Sequence, residues 1–478
     1  MKIFVIGAGF TGTQLARELI AERNEVVLID NDPENVRHAG DQLDCTVLEA
    51  DGNNLETLER AGIARADACV TTTGDDEVNM ITCSLVDAVY PEIKKIARVR
   101  NYAYYTAADT ARRRVKTAHP DARPLYGIDT MLNPDVEAST AIASAMEHGA
   151  VGDVIELDGG YGIATLSVGE GSPLAGLSLR RLATLEGWNF LVAFVESNGE
   201  LALPVGDTVL NQGDRIGVVT PLSGVSTVVS FTKSQKGELN RVVLFGADRV
   251  GSLLLARRAR KRSSNWLKQL GVPSVSRDAE FLVVDRDAAR CREIVEKHPD
   301  VRTFCGDVTD ENLLNEEDLF GCDLLVAASG NHELNLVTAA YMKSRGVGKA
   351  IALTANSSYG EIARKLGVDV AVPMRGTVVD AVMGHLRGRH VQSVHSVCNR
   401  RFEIIEGDVA PKSDAAGRKL SELMEKCGGE ALVLLHRARG GGVCEVPRGG
   451  TVLRPGERVV VIVRGRDAKA AGRFFGGE

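Results

Sequence analysis

A short branched apolar run, Lys2–Ile6, ends in the hexapeptide Gly7-Ala8-Gly9-Phe10-Thr11-Gly12, and a helical pattern through Leu15, Leu19 and Ile20 starts there. No other stretch of the 478 residues limits the possible folds so sharply. A continuous run of branched side chains marks a strand buried on both faces, the kind found in parallel sheets covered by helices. Glu25–Asp30 (EVVLID) reads as the next strand, so the chain opens on a strand, a glycine turn, a helix and a strand. In such a unit Gly7 permits the tight turn, Gly9 lets a ligand come close to the backbone, and Gly12 lets the helix pack on the strand.

Further strands are expected over 68–71 and 95–99, with helices over 55–61 and 77–89. Beyond about residue 236 the series restarts. Residues 241–245 (RVVLF) read as a strand, Gly246-Ala247-Asp248-Arg249-Val250-Gly251 as a turn, and 280–285 (EFLVVD) as another strand. Residues 67–79 (DACVTTTGDDEVN) align without a gap on 323–335 (DLLVAASGNHELN), which marks an internal repeat. A smaller segment follows each unit, with short strands punctuated by Gly and Pro and similar endings, PVGDTVLNQGD at 204–214 and PRGGTVLRPGE at 447–457. The expected fold class is α/β: two tandem units, each a Rossmann-like doubly wound parallel sheet followed by a small α+β domain. The boundaries suggested are 1–125, 140–225, 240–372 and 393–475.

A pyrophosphate is held by backbone N–H groups at a helix N-terminus, where the dipole favours negative charge. GxGxxG alone is weak, but here a strand precedes it, a helix follows it, and Asp30 ends the second strand. That carboxylate stands where a ribose hydroxyl is accepted and would repel the extra phosphate of NADP. The ligand expected is therefore NAD or NADH, with ATP or ADP as the alternative, since Asp30 suits any unmodified ribose. Asp51, Thr73, Gly74 and Arg98 fall at or near strand carboxyl ends, where a doubly wound sheet binds its ligand. Arg98 and Arg100 alternate onto one face, which calls for something anionic above them or else a surface salt bridge.

The second copy departs where it matters. Asp248 replaces the middle glycine, Leu353 and Ala355 replace the two arginines, and Asp285 is kept. Gly246, Asp248, Gly251 and Asp285 thus read as a degenerate site, empty or weakly occupied, with Arg249 and Arg286 as partial compensation.

A net charge of −7 argues against a nucleic-acid binder, which would need a basic excess. The run Arg257, Arg258, Arg260, Lys261, Arg262, with Trp266 and Lys268, is a local exception, suited to a solvated helix face or to anionic lipid or a protein partner. Nine scattered cysteines without a CxxC pair suggest neither a disulfide framework nor a zinc site and fit a reducing cytosol. Met1 leads straight into a strand, leaving no room for a signal peptide, and no apolar run is long enough to span a membrane. His385, His390 and His395, five apart, match no metal motif and no single helical face.

The glycine turn with Asp30, the segments 71–79 and 96–101 (IARVRN), and the two PxGxTxLxxGD-like endings together resemble the TrkA family, peripheral regulatory subunits of Trk potassium-uptake systems built from tandem regulator-of-potassium-conductance units. The resemblance covers essentially the whole chain. It implies a cytoplasmic homo-oligomer, a ring, tetramer or dimer of dimers, on the inner face of the membrane. Such a ring binds NAD(H), or in some relatives ATP and ADP, and gates a membrane-embedded potassium channel subunit without inserting itself. It also implies that Gly7, Ala8, Gly9, Phe10, Thr11, Asp30, Thr73, Gly74 and Arg98 contact the nucleotide; Gly12 and Asp51 are added from the spacing. No catalytic group or metal is expected. An NAD-dependent oxidoreductase is the competing reading, weakened by short non-Rossmann segments and by the lack of an obvious proton donor; a purely structural adaptor would not need an intact glycine loop. Copying the second repeat by Gly9→Asp is expected to abolish nucleotide binding at the first site. Unchanged affinity in a titration with NADH would show that the phosphates lie elsewhere.

Overall fold

A computed structural model of the chain describes residues 1–106, 125–147, 152–184, 190–197, 200–224, 227–228, 231, 239–260, 275–386, 391–397, 402–427, 431–438, 444–464 and 474. Strands β1 (Lys2–Ile6), β2 (Glu25–Asp30), β3 (Thr46–Glu49), β4 (Ala68–Thr71), β5 (Lys94–Arg98) and β6 (Thr130–Leu132) form a parallel sheet in the order β3-β2-β1-β4-β5-β6. Between them run α1 (Phe10–Ala21), α2 (Pro33–Gln42), α3 (Leu55–Arg60) and α4 (Asp76–Val89), and α5 (Pro134–Glu147) follows β6. Ile3, Phe4 and Val5 of β1 are fully buried, as a run without polar alternation requires. The strand order reverses between β1 and β4, so the turn after β1 opens at the carboxyl edge where such sheets bind ligands.

The next segment forms the antiparallel sheet β10-β9-β11-β8-β7, from β7 (Gly152–Leu157), β8 (Tyr161–Ser167), β9 (Leu191–Ser197), β10 (Glu200–Ala202) and β11 (Arg215–Pro221), with the short α6 (Leu179–Leu182). The second parallel-type sheet has the order β14-β13-β12-β15-β16-β17, from β12 (Leu239–Phe245), β13 (Val275–Asp285), β14 (Arg302–Cys305), β15 (Leu324–Ala327), β16 (Lys349–Thr354) and β17 (Val370–Pro373). Its helices are α7 (Arg249–Arg260), α8 (Ala288–Lys297), α9 (Glu311–Glu316), α10 (His332–Ser344), α11 (Tyr359–Lys365) and α12 (Met374–Leu386). A last antiparallel sheet, β18-β19-β21-β20, comprises β18 (Val391–Val397), β19 (Phe402–Asp408), β20 (Ala431–Arg437) and β21 (Arg458–Arg464), with α13 (Leu420–Cys427). The architecture is thus two tandem Rossmann-like sheets, each followed by a smaller sheet. The sixth strand of each large sheet was not foreseen: β6 and β17 are three and four residues long, too short to register as a period, and β17 ends on Pro373.

The two large sheets share one compact unit and the two small sheets another. In the first unit the closing helices are exchanged. From α12, in the second half, Val378, Val379, Val382, Met383 and Leu386 are buried in one cluster with Leu15, Ala16 and Leu19 of α1. In return α5 of the first half meets α7 of the second, where Arg257 Nη2 donates to Thr140 Oγ1 at 2.6 Å. In the second unit Phe194 and Val219 of one small sheet share a core with Phe402, Ile404 and Ile462 of the other.

The described part of the basic run is drawn into packing. Besides Arg257, Arg258 pairs with Asp300 at 2.7 Å and lies 4.6 Å from the Phe281 ring centroid. Lys261, Arg262, Trp266 and Lys268 lie outside the described residues, as do His390 and the side chains of Arg260 and His395. Since Leu15 sits in a core built by both halves, Leu15→Ala is expected to cost about 2–5 kcal/mol. It should lower one transition common to both halves in a thermal melt; a separate, unaffected transition for the second half would contradict the shared core.

Candidate functional site

The three glycines of the first turn do different work. Gly7 has φ +103°, and a Cβ there would approach Thr73 N to 2.9 Å. A Cβ on Gly12 would overlap the Gly7 carbonyl oxygen. Both are required by the fold itself, Gly7 where the turn meets the backbone after β4 and Gly12 where α1 meets the turn. Gly9 is different: its φ is −63°, and a Cβ there meets no atom within 4 Å. The open position is the middle glycine, the one that in a dinucleotide-binding turn gives a phosphate room to approach.

Helix α1 is also left uncapped. Asp32, Asn54 and Asp75 accept N–H groups in the first turns of α2, α3 and α4, whereas no side chain caps α1 and no acidic residue lies in its first turn. Its N-terminal N–H groups and dipole face an acceptor that the chain does not supply. Phe10 is half exposed beside this opening, and Thr11 is buried. These residues fit an anionic group such as a phosphate ester.

Asp30 has a second task that its sequence position does not reveal. Its Oδ2 accepts Ala8 N at 2.5 Å and its Oδ1 accepts Asp32 N at 2.8 Å, latching the glycine turn to the end of β2. Each carboxylate oxygen retains a lone pair for a hydroxyl. Asp51, after β3, accepts from Asn31 Nδ2 at 2.9 Å. Thr73 and Gly74 follow β4, and Arg98 closes β5 with its Nη1 donating to Thr72 O at 3.2 Å and Thr73 O at 3.4 Å. Burial, followed by the charge of neighbouring Arg100, pulls the Arg98 guanidinium below its ordinary value. Arg100 Nη2 donates to Gly74 O, so the predicted residues converge around one edge of the sheet.

The organiser of that edge, Asn79, was missed as a site residue. It is fully buried; its Oδ1 accepts Thr73 N at 2.9 Å and Thr73 Oγ1 at 2.8 Å, while its Nδ2 donates to Arg98 O at 2.9 Å. Asn335 repeats the clamp on Ser329 N, Ser329 Oγ and Leu353 O at 2.9, 2.7 and 3.0 Å. Identity between the two repeats at this position was the available signal.

In the second half the same logic runs with one part removed. Gly246 has φ +106°, and a Cβ on it or on Gly251 would collide with backbone, so the two fold-requiring glycines persist. The ligand-facing one is Asp248, whose Oδ1 lies 3.5 Å from Gly251 N at the start of α7. Burial raises its carboxyl pKa, with the Gly251 hydrogen bond opposing. Asp285 is retained as a latch, accepting Ala247 N at 2.7 Å and Asp287 N at 2.8 Å. A cleft of about 280 Å3 remains beside it, lined by Asp285, Arg286, Arg290, Asp307, Ser329 and Asn331 among others. Its retention of Asp285 is explained by the backbone latch without any ribose.

Models of known families match at both large sheets and the first small one: the TrkA-N domain at residues 3–115 and 267–373, and the TrkA-C domain at 163–233. The chain is 28% identical over 482 residues to Trk system potassium uptake protein TrkA homolog 1 of Methanosarcina mazei, covering 99% of this chain and 100% of that one. It is 26% identical over 482 residues to Trk system potassium uptake protein TrkA of Azorhizobium caulinodans, covering 99% and 98%. The fold is similar to the GsuK RCK domain (TM-score 0.56, 17% identity, 97% of this chain and 92% of that one). It is also similar to the GsuK channel bound to NAD (TM-score 0.54, 16% identity, 99% and 78%). With the repeated glycine turn and these matches along its length, the chain belongs to the TrkA family, its TrkA-N and TrkA-C units arranged in tandem.

Proposed function

We propose that this chain is a nucleotide-sensing regulatory subunit that binds NAD(H), with ATP or ADP as the alternative ligand, at the first glycine turn and controls a membrane-embedded potassium-uptake subunit. The observation that carries the reading is Gly9, open to the outside above an uncapped helix while its two neighbouring glycines are demanded by the fold. Relatives named as Trk potassium-uptake proteins over nearly the whole chain support the potassium link, and a GsuK channel of the same fold in complex with NAD supports the ligand class. No helix among the described residues is long and apolar enough to cross a membrane, in keeping with a partner that supplies the pore. Such a protein acts by population shift: the ligand stabilises one arrangement more than another, and the partner reads the difference. In this reading no residue is catalytic, and the chain works as a homo-oligomer on the cytoplasmic face.

NADH, ATP or ADP at a hundredfold excess over Kd should add about 2.7 kcal/mol of stability to the folded protein. Melting curves with each nucleotide identify the ligand, and no shift with any of them sinks the sensor reading. The same samples should turn over no hydroxy acid or aldehyde, and nucleotide should alter potassium flux when the protein is reconstituted with a Trk-type pore subunit.

The second half offers an independent check. Folding raises the Asp248 pKa, so its contribution is most favourable at low pH and is lost as pH rises through the folded-state value. Asp248→Asn should therefore raise the melting temperature more at pH 7 than at pH 4; an equal change at both would argue against a carboxylate strained by burial.

A further inference from the structure

The exchanged helix α12 carries a charge into the first site from the other half of the chain. The Arg375 guanidinium lies 4.6 Å from the ring centroid of Phe10, the residue that follows Gly9 and begins α1. Its position is set by packing rather than by a loop, because one turn further on Val378 and Val379 are locked into the core beneath α1. Arg375 itself is exposed, and it is close enough to Arg98 to add to the depression of that guanidinium's pKa.

Three guanidiniums, of Arg98, Arg100 and Arg375, thus gather beside one uncapped helix N-terminus. Asp76 interacts electrostatically with Arg98, but its two oxygens are engaged by backbone, accepting Arg100 N at 2.9 Å and Asn101 N at 2.6 Å. None of the three arginines forms an ion pair among the described residues. Like charges converging next to the positive end of a helix dipole are unfavourable until an anion arrives. Guanidinium is the side-chain group best matched to a phosphate, through paired N–H donors.

The second half serves as an internal control. Helix α5 reaches its glycine turn in the reciprocal exchange, and it brings Asp135, which interacts electrostatically with Arg249 and Asp248 of that turn. One exchange therefore places a cation at the open turn and a carboxylate at the turn already filled by Asp248.

We propose that Arg375 is a phosphate-binding residue of the first nucleotide site, supplied by the second half, and that it ties bound nucleotide to the seating of α12 on α1. This rests on the nucleotide reading above and adds to it the coupling element. A ligand bearing phosphate draws Arg375 toward Gly9 and so favours the exchanged arrangement; a nucleoside without phosphate has no such hold.

The test is calorimetric titration of the full chain with ATP, ADP, NADH and adenosine, for wild type, Arg375→Gln and Arg375→Lys, at several salt concentrations. Arg375→Gln is expected to weaken the phosphate-bearing ligand by about ten- to a hundredfold and to flatten the salt dependence. Adenosine binding should stay unchanged, the apo melting point should hold or rise as the repulsion among the three guanidiniums is relieved, and Arg375→Lys should restore part of the loss. Hydrogen exchange should show nucleotide protecting α12 in wild type but not in Arg375→Gln. Unchanged nucleotide affinity in Arg375→Gln overturns the proposal, and so does an equal loss for adenosine, which would mean a structural effect. Wild-type protein that binds none of the nucleotides overturns the nucleotide reading itself, whereas a binding wild type with an indifferent variant overturns only the role of Arg375.

Discussion

The turn after β1 is pressed against the backbone that follows β4, and α1 is pressed against the turn, so closely that Gly7 and Gly12 have no room for a Cβ. That contact determines where α1 starts and which way its N-terminus points. The Asp30 latch holds the turn, and the Asn79 clamp holds Thr73, against which the turn packs, so the helix end stays open without needing a ligand to shape it. The site is preorganised by backbone packing, which is why its side-chain inventory is so small.

Two copies of this construction have diverged in charge while keeping their geometry. Gly246, Gly251, Asp285 and Asn335 preserve the turn, the latch and the clamp, and Asp248 puts a carboxylate 3.5 Å from Gly251 N at a helix start that the first copy leaves without a side-chain acceptor. A fold can be kept while one position of its turn changes when the residues serving each task are separable. Here the crowded positions are Gly7 and Gly12 with Gly246 and Gly251, and the position that changes is the open one, Gly9 against Asp248.

Exchange of α5 and α12 makes the first unit a single body rather than two adjacent sheets. Burial of Val382 and Met383 against Leu15 and Leu19 means that neither half completes its core alone. An event at the first glycine turn is therefore mechanically connected to the second half through packed side chains, the kind of contiguous path that carries coupling between sites.

The sequence by itself determined the tandem organisation, the strand–turn–helix units and the position of the open turn, because these rest on local patterns: buried strand runs, helical spacing and glycine where a Cβ cannot fit. Its reading of the segments 67–79 and 323–335 as one repeat is accounted for by Asn79 and Asn335, each bridging two strand ends. Only the tertiary structure decided that Asp285 is kept for a backbone latch, that β6 and β17 complete the sheets, and that Arg375 faces Phe10 across more than three hundred residues of chain. Those facts depend on contacts between distant segments, which leave no period and no spacing in a single sequence for local chemistry to reveal.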